Sequence, residues 1–186
     1  MATSSLAKRL SQLAADRGAP DGFTVDLFRT FLNAAAPQLR TAFRAKHSDE
    51  QTFQILSEIL ASARTLKTDP FVEVRSQDNV AVIRSVMADQ AFIVDTVMLS
   101  LRANNMDYQT GFNLVLGMGR NSDGEIVSID ESADPLESLI YVVTDAHDDL
   151  TAFQAEVESN LRLSKAVVGD FGIMTHLVET MSTQLL

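Results

Sequence analysis

Hydrophobic residues change their spacing between Val80 and Leu101. Val80–Met87 is an almost continuous apolar run rich in β-branched residues, which is typical of a strand. After Asp89 the apolar residues fall three or four positions apart, at 93, 94, 97, 98 and 101. This spacing puts them on one side of a helix. The pattern therefore predicts a strand followed by an amphipathic helix.

A hairpin, another strand and a second helix follow. Alternating apolar residues at 112, 114, 116 and 118 lead to the turn Asn121–Gly124 and a short strand. Leu139–Val143 supplies the next strand, and apolar residues at 150, 153, 157 and 161 have helical spacing. The order βαββα predicts a ferredoxin-like α+β fold, with helices on one face of an antiparallel sheet. We expect strands near 71–76, 80–87, 109–119, 125–130 and 138–144, and helices near 90–105 and 148–168.

The first third of the chain has helical patterns only. We expect residues 4–66 to be entirely helical, with Ser48–Gln51 forming a capping box and Pro70 preventing the fourth helix from continuing. Gly169 and Gly172 interrupt the last helical pattern, which resumes at Met174. The chain thus divides into a helical segment, 1–68, and an α+β domain, 69–186.

Charge and composition narrow the function. The formal net charge of −10 argues against nucleic-acid binding, which needs a concentrated basic face. The chain has no cysteine, which rules out thiol chemistry, and no apolar run long enough to predict a membrane span. Residues 1–47 carry seven of the 15 Lys and Arg residues but only three of the 25 acids. The start of the chain is either an amphipathic helix that docks on a partner helix or an organelle transit peptide.

Several segments partly match motifs for cofactor or metal binding, but each lacks a required feature. Gly117–Ser122 begins like a dinucleotide fingerprint but lacks the third glycine and leads into a hairpin. Aligning Gly124 with the invariant glycine of a calcium loop puts Gly119 at the first ligand position, where a carboxylate is needed. The three histidines are far apart in sequence, and the acids of Asp145–Asp149 suit the first turn of a helix without any ligand. We predict no catalytic residue and no metal ligand in this chain.

The junction between the first strand of the βαββα unit and its helix is the most plausible functional point. Backbone N–H groups at the start of a helix can bind an anion, so the predicted ligand-binding residues are Asp89, Gln90, Ala91, Phe92 and Asp95. The Asp95 carboxylate would bind the ammonium group of an amino acid. The competing interpretation is that Asp89 caps the helix while Phe92 and Ile93 lie in the core.

Ala88–Val97 resembles the Asp-x-Pro-Phe-Leu-Val-Asp-Ser-Val element in the N-terminal region of the large NAD-specific glutamate dehydrogenases. The resemblance spans roughly residues 70–175 and implies an ACT-like domain. Two features depart from the family. Ala91 replaces its usual proline, and its His-Pro pair is absent around Leu114–Gly117.

The resemblance implies a noncatalytic N-terminal regulatory or oligomerisation domain of an enzyme that oxidises L-glutamate to 2-oxoglutarate and ammonia with NAD. The expected partners are the remainder of that enzyme, further copies of the chain and an amino-acid effector. The expected location is the cytoplasm, and NAD would bind outside this chain. Two alternatives stay open: a freestanding ACT-like interaction or amino-acid-sensing module, and a small metal-dependent enzyme with an acidic site at Asp145, Asp148 and Asp149.

Overall fold

The computed structural model describes residues 5–64, 69–130 and 135–184. Four α-helices come first, and strands and helices follow in the expected α+β order. The helices are α1 (Ser5–Arg17), α2 (Val25–Ala35), α3 (Thr41–Arg44), α4 (Asp49–Ala63), α5 (Ile93–Ala103) and α6 (Leu150–Gln184), with a 3-10 turn at Ala36–Gln38. The strands are β1 (Phe71–Gln77), β2 (Val80–Ala88), β3 (Tyr108–Arg120), β4 (Ile126–Asp130) and β5 (Leu136–Asp145).

Residues 5–64 form helices and turns without a strand, as predicted for that part of the chain. The capping box at the start of α4 is confirmed. The Gln51 N–H donates to the Ser48 hydroxyl at 3.2 Å, and the Ser48 N–H donates to Oε1 of Gln51 at 2.8 Å. Pro37 lies at the start of the 3-10 turn, where a missing N–H costs nothing. Predictions for residues 4, 65 and 66 lie outside the described residues.

The sheet is antiparallel throughout, with strand order β1-β2-β5-β3-β4. β1 and β2 form a hairpin whose turn residues, Asp78 and Asn79, have φ angles of 47° and 66°. Short polar side chains tolerate this left-handed conformation, which matches the twist of a two-residue hairpin. β2, α5 and β3 form a crossover, and β5 lies between the two strands that this crossover connects.

The sheet is buried on both faces. Alternate residues of the central strands divide between two hydrophobic clusters, so that Tyr141 belongs to one and Val142 to the other. One cluster contains α5 and α6 residues such as Val97 and Val157. The other contains residues of α1, α2 and α4, including Phe28. The N-terminal helices therefore dock on the sheet of the same chain, which the sequence left open. The domain boundary at 68/69 stays a prediction.

Most element boundaries lie within one or two residues of those expected from the sequence, and the larger differences are at α5 and α6. α5 begins at Ile93 rather than near residue 90. α6 runs unbroken from Leu150 to Gln184, so the predicted interruption at Gly169 and Gly172 is wrong. A glycine inside a helix costs about 1 kcal/mol relative to alanine, which a long helix can absorb.

A buried ion pair ties the sheet to the N-terminal helices. The guanidinium of Arg120 donates through Nε and Nη2 to the two carboxylate oxygens of Glu137, both at 2.6 Å. It also donates to the carbonyl of Ala63 at the end of α4, at 3.0 Å, and to that of Gly124 at 2.6 Å. The carbonyls at a helix end have no partner within the helix. Arg120 therefore joins α4, the β3-β4 hairpin and β5.

Candidate functional site

The strand–helix junction consists of residues 89–92, between the end of β2 and the start of α5. The Asp89 N–H donates to the carbonyl of Leu136 at 2.8 Å, which ties the junction to β5. Phe92 has a left-handed backbone with φ 68° and directly precedes the helix. A bulky residue at positive φ is uncommon, and this conformation delays the start of α5 by turning the chain before Ile93.

The prediction that Asp89 caps α5 is wrong. Its carboxylate accepts a hydrogen bond from the Ser138 hydroxyl of β5 at 2.8 Å. The capping position is held by Phe92, whose side chain makes no capping hydrogen bond. Phe92 was also expected in the core with Ile93, yet its side chain is 66% exposed, while Ile93 is buried. The first backbone donors of α5 therefore have no side-chain cap among the described residues.

The other predicted site residues surround these donors. Asp95 is exposed in the first turn of α5, where a carboxylate interacts favourably with the helix dipole. Gln90 reaches α6, with its Nε2 3.5 Å from the Ser164 hydroxyl. Ala91 is exposed. The junction thus combines open donors with two nearby acids, and ligand binding there stays a prediction.

An exposed apolar groove between α5 and α6 was missed by the sequence analysis. We call it the α5–α6 groove. Its largest exposed side chains are Phe92, Leu99 (60% exposed), Leu163 (64%) and Val167. The groove has a volume of about 430 Å³. Leu163 and Val167 are four residues apart, so they share a face of α6, but this face is not the buried one. Two apolar residues on a second face of the helix were the sequence signal for this groove.

A second missed feature is a cavity of about 250 Å³ at the exposed edge of β3, which we call the edge cavity. Arg40 lies at its rim, and Tyr108 and Gly111 line it from β3. Burial raises the pKa of Tyr108, and the positive charge of Arg40 opposes that rise. The sequence signal was the small or polar residue at positions 111 and 113, between the alternating apolar residues of β3.

Two of the three acids of Asp145–Asp149, Asp145 and Asp149, have structural partners. Oδ1 of Asp149 accepts the Ala152 N–H at 2.9 Å at the start of α6, and Nδ1 of His147 accepts the Asp149 N–H at 3.1 Å. This confirms the interpretation that acids here stabilise a helix start. Within the described part of the chain, no group of three His, Asp or Glu side chains is placed to hold a metal ion.

The glycines of the apparent dinucleotide fingerprint lie inside the β3-β4 hairpin. Gly117 pairs with Asp130, and Gly119 pairs with Ser128. A Cβ on Gly119 would come within 2.1 Å of the Ser128 hydroxyl, so the partner strand explains this glycine. A pyrophosphate site needs a helix N-terminus after the glycines. This segment leads into a turn instead and does not fit a dinucleotide.

The strand order and helix placement define the class of protein. β2, α5, β3, β5 and α6 reproduce the split β-α-β arrangement of an ACT-like fold, with both helices on one face of the antiparallel sheet. The N-terminal helices cover the opposite face. None of the helices in the described ranges is both long and apolar enough to cross a membrane.

Comparison with known families agrees with the fold. Residues 31–159 match the family model described as the glutamate dehydrogenase ACT1 domain. The chain belongs to this family, which confirms the resemblance seen around Ala88–Val97. No curated protein and no solved structure gave a significant match.

Proposed function

We propose that this chain is a noncatalytic regulatory domain of an NAD-dependent glutamate dehydrogenase. The single observation that carries the proposal is the family match over residues 31–159, most of the α+β unit and half of the N-terminal helices. In this proposal, a longer cytoplasmic chain oxidises L-glutamate to 2-oxoglutarate and ammonia, and NAD binds outside residues 1–186.

The strand–helix junction supports the regulatory role. An amino-acid effector would place its carboxylate on the first backbone donors of α5, to which the Phe92 side chain makes no capping hydrogen bond. Its ammonium group would meet Asp95, and Asp89 would remain tied to Ser138. Because α5 packs against α6 in one hydrophobic cluster, an effector that orders the start of α5 would also act on α6.

Deletion of residues 1–184 from the full-length dehydrogenase tests whether the domain is catalytic. We expect the truncated enzyme to keep reducing NAD with L-glutamate but to lose its response to amino-acid effectors. NADH formation is followed by absorbance, and circular dichroism verifies that the remaining enzyme is folded. A folded enzyme without NADH formation would contradict the noncatalytic role.

Asp95→Asn in the full-length enzyme tests the site, and Asp123→Asn in the exposed β3-β4 turn is the matched control. We expect Asp95→Asn to raise the effector concentration needed for half-maximal response, because a charge-assisted bond to the ammonium group is lost. The control should respond as the wild type does. Equal responses from both variants would remove Asp95 from the site.

The α5–α6 groove supports assembly as a second role. Exposed apolar patches lined by large side chains commonly mark protein interfaces. Leu163→Glu should shift the full-length enzyme to smaller species in analytical ultracentrifugation. Val127→Glu, on a side chain that is 57% exposed in β4, is the control and should leave the assembly unchanged. An unchanged assembly of the Leu163 variant would argue against this role.

A further inference from the structure

The edge cavity lies beside the first half of α5 and shares no lining residue with the strand–helix junction. Its apolar wall is made by residues of two elements: Val94, Val97 and Met98 of α5, and Ile140 and Val142 of β5. Its volume of about 250 Å³ lies just below the range usual for drug-sized ligands. The cavity therefore suits a compact apolar group, the size of a branched aliphatic side chain with a small polar head.

The cation at the rim of the cavity has no anionic partner among the described residues. The Arg40 side chain is exposed and makes no hydrogen bond or ion pair with any described residue. Neighbouring cations are engaged: Nζ of Lys46 donates to the Gln109 carbonyl at 2.7 Å, and Nη2 of Arg44 donates to the Thr41 hydroxyl at 3.3 Å. Arg40 is thus available to an anionic group at the mouth of the cavity.

The β3 edge adds two backbone donors beside Arg40. At Val115 the side-chain amide of Gln38 replaces a neighbouring strand: the Val115 N–H donates to Oε1 of Gln38 at 2.9 Å, and Nε2 donates to the Val115 carbonyl at 3.1 Å. Every second residue of an antiparallel strand points its N–H and C=O the same way, so Gly111 and Asn113 also face outward. β4 pairs with β3 only from Gly117 onward and leaves both N–H groups uncovered.

The charges of the lining decide between classes of ligand. One cation and no acid line the cavity. A carboxylate has a charged partner in Arg40, whereas an ammonium group would find no carboxylate among the lining residues and would lie near the same cation, which disfavours an α-amino acid. The second carboxylate of a dicarboxylate would be buried among apolar side chains without a partner, which is costly.

We propose that the edge cavity binds a small apolar monocarboxylate without an ammonium group, such as a branched 2-oxo acid. The carboxylate pairs with Arg40, and the oxo group accepts a hydrogen bond from one of the two outward N–H groups, that of Gly111 or that of Asn113. The branched chain fills the space between Val97 and Ile140. This site is distinct from the strand–helix junction, and its ligand class differs from the amino acid proposed there.

The test uses the 186-residue chain with three probes: 4-methyl-2-oxopentanoate, leucine and 2-oxoglutarate. Thermal denaturation measures stabilisation, because a ligand that binds only the native state raises the melting temperature. We expect 4-methyl-2-oxopentanoate to stabilise the wild type and the other two to leave it unchanged. Arg40→Gln should weaken binding about tenfold or more, since a charge-assisted bond is lost. Arg44→Gln, one helical turn away and equally exposed, is the control and should bind as the wild type does.

Two further measurements locate the ligand. Amide NMR should show shifts at Gly111 and Asn113 on addition of the oxo acid, with the junction unchanged. Val94→Trp, at a side chain that is 43% exposed, should fill the cavity and abolish binding without unfolding the protein. Equal binding by Arg40→Gln and wild type, shifts at Asp89–Phe92 instead of β3, or no stabilisation by the oxo acid would overturn the proposal. None of these results bears on the effector response of the full-length enzyme, which tests the regulatory role separately.

Discussion

Breaking the Arg120–Glu137 ion pair should strongly destabilise the protein. The two side chains are only 15% and 8% exposed, and two hydrogen bonds of 2.6 Å join them. Glu137→Gln keeps the shape of the side chain but removes its charge, which leaves the guanidinium without its counter-ion. Removing one partner of a buried pair costs about 3–5 kcal/mol. We expect about 3 kcal/mol, the low end, because the carbonyls of Ala63 and Gly124 still accept from Arg120.

A double-mutant cycle separates the interaction free energy of the Arg120–Glu137 pair from the contributions of other contacts. Arg120→Met should cost about 4 kcal/mol, since it also leaves the end of α4 without its donor. The double variant Arg120→Met with Glu137→Gln should be destabilised by about 2 kcal/mol less than the sum of the single variants, because no buried charge remains. Urea unfolding followed by circular dichroism at neutral pH measures all four proteins.

An exposed pair in the same protein provides the control. Arg162 and Glu158 lie one turn apart on α6, and the Arg162 side chain is 56% exposed. Glu158→Gln should change the free energy of unfolding by less than about 0.5 kcal/mol. The reasoning would be refuted if Glu137→Gln were as mild as this control, or if the effects at 120 and 137 added within about 0.5 kcal/mol.

Three further variants test other parts of the structure. Val97→Asp puts a charge at a side chain that is 1% exposed and should abolish cooperative unfolding in circular dichroism; a native-like melting curve would place this face outside the core. Gln38→Ala removes both bonds to the Val115 edge and should cost about 1–2 kcal/mol while speeding amide exchange at Val115; unchanged exchange would show that the amide does not protect the edge. A hydrogen bond from Arg9 holds the pKa of Asp49 below its usual value of 3.8, so this stabilisation is present above that pH and lost as the pH falls through the folded pKa. The melting-temperature gap between wild type and Asp49→Asn should therefore close on acidification, and a gap independent of pH would contradict this assignment.

Periodicity predicted most elements because each faces the core in a regular way. The buried stripe of α5 at Ile93, Val97 and Leu101 is the stripe expected from spacing alone. The capping box of α4 depends on residues three positions apart and was equally visible. Contacts between distant segments have no such local signal, so the docking of the N-terminal helices could not be settled from spacing.

A signal of that docking was nevertheless present in β5. Leu139–Val143 is a continuous apolar run without alternating polar residues. Such runs are typical of strands buried on both faces, whereas a sheet with one solvated face has alternating strands. The run therefore indicated not only a strand but also a helical layer on each face of the sheet, and the second layer is formed by the N-terminal helices.

The candidate sites were less predictable from the sequence because they depend on the backbone conformation of single residues and on which side chains form pairs in the folded protein. Nothing in the sequence required Phe92 to adopt a left-handed conformation. With this conformation α5 starts at Ile93, and the Asp89 carboxylate accepts a hydrogen bond from Ser138 instead of capping the helix. Likewise, Arg40 is notable only because none of the described acids pairs with it. The pairing of Gln38 with Val115 connects positions far apart in sequence. Both are properties of the assembled structure.

The position of β5 has a consequence for how the chain folds. β2 and β3 are not neighbours in the sheet; β5, the last strand in sequence, lies between them and pairs with both. Before residues 136–145 leave the ribosome, the chain can form two separate hairpins, β1-β2 and β3-β4, but no continuous sheet. Contacts between distant segments form slowly, and unpaired strand edges promote aggregation meanwhile. We therefore expect a chain that ends before Leu136 to lack cooperative unfolding, and nascent chains to become protease-resistant only after β5 has emerged.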